Sequence, residues 1–151
     1  MNTVEKLTAA TRAIWHADPK GAARLAGLHR PPSGDMPKRL YANFDAYWFA
    51  GILYQLREGR RTGELTLEGA RDSAALFARY GAARLKLWGF DEESALIDAA
   101  AGEIKAAGEK QLDDLLQAII VLVDTLNAWI DATIPWAALG DVAPVKPGEA
   151  K

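Results

Sequence analysis

The sequence predicts an all-α fold: a compact bundle of about five or six helices in one domain spanning residues 1–139, followed by a short disordered tail over 140–151. Three observations predict it. Apolar residues recur at spacings of three and four along most of the chain. No stretch alternates at period two, and β-branched residues cluster only at Ile119, Ile120, Val121 and Val123, inside a helical stripe. Gly and Pro stand between the periodic stretches, where helices must start and stop.

The elements follow in order. Asn2 and Glu5 have capping-box spacing, and Val4, Leu7, Ala10 and Ile14 form the stripe of a first helix. Asp18-Pro19 ends it and starts a short second helix over 19–29, with Asp as N-cap and Pro at the first helical position. Pro31-Pro32 and Ser33-Gly34 make residues 30–35 a loop.

A long helix is expected over 37–58, and it holds six of the thirteen aromatics. Leu40, Phe44, Tyr47, Trp48, Gly51, Ile52 and Gln55 share one face. Tyr41, Phe49, Leu53 and Leu56 widen the apolar surface beyond half the circumference, which predicts a central helix with neighbours on several sides. Residues 58–63 read as a basic turn bracketed by Gly59 and Gly63.

A further helix is expected from about Thr66 to Trp88, stopped by Gly89. Its face of small residues, Ala70, Ala74, Gly81 with Phe77, Leu85 and Trp88, suits packing against the bulky aromatic helix. Asp91 is the expected N-cap of the next helix, Ile97, Ala100, Ala101, Ile104 and Ala107 its stripe, and Gly108 its end. The last helix repeats Leu112, Leu115, Leu116, Ile119, Leu122, Val123, Leu126, Trp129, Ile130 and Ile134 before Pro135 terminates it.

Composition bounds the function. A chain of 151 residues buries enough surface to fold without a metal or disulfide. It contains no cysteine, which removes thiolate zinc sites and cysteine nucleophiles and fits a cytoplasmic location. No segment approaches the roughly 20 apolar residues of a membrane span. Residues 1–90 carry 14 Lys or Arg against 8 Asp or Glu, and residues 91–151 carry 4 against 12. The net charges of +6 and −8 sum to the −2 of the whole chain. Either the molecule has a basic and an acidic side, or its halves neutralise each other on folding.

The inventory for catalysis is thin: two histidines, His16 and His29, and three serines, Ser33, Ser73 and Ser94. Ser73 and Ser94 fall inside helix patterns rather than on a sharp turn. Neither histidine has a Glu three residues before it, so the Glu-x-x-His pair of helical di-iron sites is absent. Glu103, Glu109, Asp113 and Asp114 lack the paired Glu-x-x-Glu spacing of helical nucleotide pyrophosphohydrolases and read as a solvated acidic face. No cofactor or metal is expected.

Three sets of residues remain as candidate sites. Arg24 and His29, in the run Arg24-Leu25-Ala26-Gly27-Leu28-His29, have Arg-x4-His spacing. This resembles the signature of HEPN ribonucleases, which are helical bundles. The resemblance implies a metal-independent ribonuclease acting on the RNA backbone across a dimer cleft, with Arg24 and His29 in the catalytic roles. Read as a helix end, the same residues place His29 near the C-terminal carbonyls. The second set is basic: Arg71, Arg79 and Lys86 fall within about 80° on a helical wheel, with Ala75 and Ala82 between them. Arg57, Arg60 and Arg61 extend this stripe from the preceding turn. It suits a nucleic-acid backbone or an acidic protein surface. The third set is the aromatic helix, which either fills the core or stacks on a ligand; Tyr41 and Tyr54 are the residues expected at an edge.

The function these features predict is that of a non-enzymatic helical subunit binding other macromolecules in a larger assembly, through a protein partner or self-association. The alternative is a small nucleic-acid-backbone-binding subunit of a ribonucleoprotein complex. The HEPN-like ribonuclease is the second alternative.

Overall fold

The apolar periodicity becomes five helices in the computed structural model, which describes residues 1–15, 36–87 and 89–133, with side chains over 1–14, 48–87 and 89–129. They are α1 (Thr3–Trp15), α2 (Met36–Thr62), α3 (Leu67–Leu87), α4 (Asp91–Ile104) and α5 (Glu109–Thr133). There is no strand among the described residues. The helix expected over 19–29 and the tail over 140–151 lie outside them.

The ends form as the sequence dictates. Asn2 Oδ1 accepts the Glu5 N–H at 2.8 Å and Glu5 Oε2 accepts the Asn2 N–H at 3.3 Å, so the capping box closes. Thr66 caps α3 by accepting the Gly69 N–H on its Oγ1 at 3.0 Å. Gly89, at φ +92°, donates to Lys86 O while Phe90 donates to Leu85 O, which is a Schellman stop with a buried residue just beyond it.

Three boundaries differ from expectation. The basic turn 58–63 is helical as far as Thr62, and α2 stops only at Gly63 with φ +82°. Gly59 stays in the helix because Leu65 lies against its Cα, where a Cβ would collide with the Leu65 side chain. Asp91 is the first helical residue rather than the cap; Phe90 holds the cap position without a side-chain hydrogen bond, and Asp91, Glu92 and Glu93 all face the positive end of the helix dipole. Helix α4 ends at Ile104 rather than at Gly108, yet Ala107 is fully buried in the turn that follows.

The helix at the centre is α5, which packs against each of the other four. Its Leu112, Leu115, Leu116, Ile119, Leu122, Val123 and Leu126 are all buried. Helix α2 runs antiparallel to α5, pairing Arg57 with Asp113 and Arg60 with Glu109. Helix α3 runs antiparallel to α4, the most extensively packed pair, and Ser94 Oγ on α4 donates to the Ala82 carbonyl on α3 at 2.6 Å. Helix α1 lies along α5 and α4 and reaches the end of α4 through a Thr3–Glu103 hydrogen bond.

The central position expected for the aromatic helix is therefore corrected. Over its described side chains α2 buries Phe49, Ala50 and Leu53, whereas Gly51 and Gln55 of the expected apolar face are exposed; Tyr54, expected at an edge, is exposed as well. Helices α3 and α5 both dock on the Phe49–Leu53 side, and a wide apolar surface does not by itself say which part of it is covered. Large does meet small as expected: the Phe49 ring lies on Gly81 of α3, where an added Cβ would come closer than 3.0 Å to the ring.

Candidate functional site

The basic stripe is open only in part: Arg61, Arg79 and Lys86 are exposed, whereas the small residues between the cations of α3 are not. Ala75 and Ala82, the small residues between its cations, are buried, because this arc of α3 faces α4. The cations around it turn to acceptors within the molecule. Arg71 Nη1 donates to the Ala107 carbonyl at 3.1 Å, clasping the α4–α5 turn, and its Nε is buried without a partner. Arg79 pairs with Asp98 at 3.2 Å. Arg57 pairs with Asp113 at 2.7 Å, and Arg60 pairs with Glu109 while donating to the Leu65 carbonyl at 2.7 Å. Arg61 pairs with Glu58 one turn earlier at 2.6 Å, and that hydrogen bond holds the Glu58 carboxyl below its ordinary pKa. Lys86 is exposed.

A groove of 550 Å³ does bring Arg57, Arg60, Arg61 and Lys110 to one place, between the end of α2 and the start of α5. Glu109 and Asp113 line the same groove, so it is a lattice of mixed charge rather than an anion site. The four carboxylates considered for a metal each turn to a different partner: Glu103 meets Thr3, Glu109 meets Arg60, Asp113 meets Arg57 and Asp114 meets Lys110. Among the described residues no three metal-ligating side chains cluster. Arg24, His29 and His16 lie outside the described residues, as do the side chains of Tyr41, Phe44 and Tyr47.

The surface that does stand out was not singled out from the sequence. Leu76, Tyr80 and Leu87 on α3 are exposed to 66%, 48% and 59%. With Ala83, also exposed, they occupy an arc of about 60° on the side of α3 away from α4. Trp48 of α2 is half-buried beside them, edge-on to Tyr80 at 5.3 Å and to Phe77 at 6.1 Å between ring centroids. Trp48 is thus partly buried, packed against the core at the floor of a surface patch. Phe77 continues into a groove of 650 Å³, lined by Ile52, Leu56, Leu65 and the exposed Tyr54. Apolar side chains spaced 4, 3 and 4 along one outer face are the pattern of a helix seam rather than of scattered surface residues. The signal was present as a second apolar line on a helix whose small-residue face already accounted for its core.

Compared with protein-family models, with curated proteins and with solved structures, the chain matches none. No helix among the described residues is long and apolar enough to cross a membrane.

Proposed function

We propose that this protein is a non-enzymatic helical subunit that works by binding another macromolecule within a larger assembly. The observation that carries the reading is the outer line of α3, Leu76, Tyr80 and Leu87, continuous with Trp48 and Phe77. Apolar groups on this scale raise the free energy of the isolated chain in water, and contact with a partner recovers it. A protein partner suits this surface better than a phosphate backbone, because Ala75 and Ala82 between the cations of α3 are buried and four of the arginines already hold carboxylates. A phosphate would have to displace those partners before gaining any of its own.

The test is capture of partners by the immobilised protein from a lysate of its source cells, with and without nuclease. A complex that survives nuclease and is lost on Leu76→Glu agrees with this reading. A complex lost on nuclease treatment and on Lys86→Glu, but indifferent to Leu76→Glu, would transfer the function to nucleic-acid binding. Cleavage of single-stranded RNA that disappears in His29→Ala would replace both with the ribonuclease.

A further inference from the structure

We draw no further inference here: the strongest candidate, the groove between α2 and α3 lined by Ile52, Leu56, Leu65 and Phe77, has on its rim only Glu64 and a Glu58 already paired with Arg61 as charged groups, and nothing in the structure shows what covers it.

Discussion

At the scale of single residues, the most constrained position is Gly81. The Phe49 ring occupies the space a Cβ would need, and the ring is itself enclosed between α2 and α3. Gly81→Ala should therefore cost about 1–3 kcal/mol in urea unfolding, and trimming the ring in the Gly81→Ala, Phe49→Leu double variant should recover part of it. Independent, additive losses would show that the two residues do not meet. Arg71 is the second informative residue. As a member of an open basic stripe its loss would be barely measurable. As a donor to the Ala107 carbonyl it holds the α4–α5 turn, and Arg71→Ala should cost about 1.5–3 kcal/mol. An unaltered urea midpoint for this variant would return Arg71 to the surface. Spacing alone placed Arg71, Ala75, Arg79, Ala82 and Lys86 on one arc of the helix. It could not say that α4 would lie across that arc, because Ala75 and Ala82 suit a close helix contact as well as a smooth surface.

At the scale of elements, the helix ends encoded by local chemistry were legible and the packing partners were less so. The Asn2–Glu5 box, the Thr66 cap and the Gly89 stop each depend on residues within one turn, and each forms as read. Gly89 makes the dependence measurable. Its φ of +92° disfavours any residue with a Cβ, so Gly89→Ala should lower stability by about 1–2 kcal/mol, with Gly89→Asn losing less. Equal melting temperatures for all three proteins would mean that the stop lies elsewhere. The α4–α5 turn was misread because Ala107 keeps the helical period of the stripe before it, and burial of Ala107 in a tight turn leaves the same trace in the sequence. The centre of the bundle was misread for a similar reason. Aromatic side chains made residues 37–58 conspicuous, but aliphatic α5 contacts each of the other four described helices. Bulk marks hydrophobic content, whereas centrality depends on how many neighbours the topology brings, and that is not a local property. The outer line of α3 was overlooked because the small-residue face had already supplied the helix with a core side.

At the scale of the whole molecule, the +6 and −8 halves meet and neutralise each other at three contacts among the described residues. Arg57–Asp113, Arg60–Glu109 and Arg79–Asp98 each join a cation from the first 90 residues to a carboxylate from the remainder. The antiparallel pairing of α2 with α5 and of α3 with α4 makes this neutralisation possible, since it brings chain segments of opposite charge side by side. Ion pairs at the surface contribute little individually, because water screens them and long side chains lose freedom in making them. The Arg57–Asp113 pair is the best placed of the three: Arg57 is half-buried and presents both Nε and Nη2 to the carboxylate, at 2.7 and 3.4 Å. A double-mutant cycle on Arg57→Ala and Asp113→Ala should give a coupling of about 0.2–1 kcal/mol at low salt. Raising the salt to about 1 M contracts the screening length to about 3 Å, comparable with the pair itself, so the coupling should fall by more than half. The Arg79–Asp98 cycle should start smaller, because both partners are exposed and a single contact joins them. A coupling of zero for Arg57–Asp113 at low salt would mean that the charge asymmetry is not neutralised through this contact. The acidic and basic surfaces would then be open to partners, and the nucleic-acid reading would regain the argument that these pairs now remove.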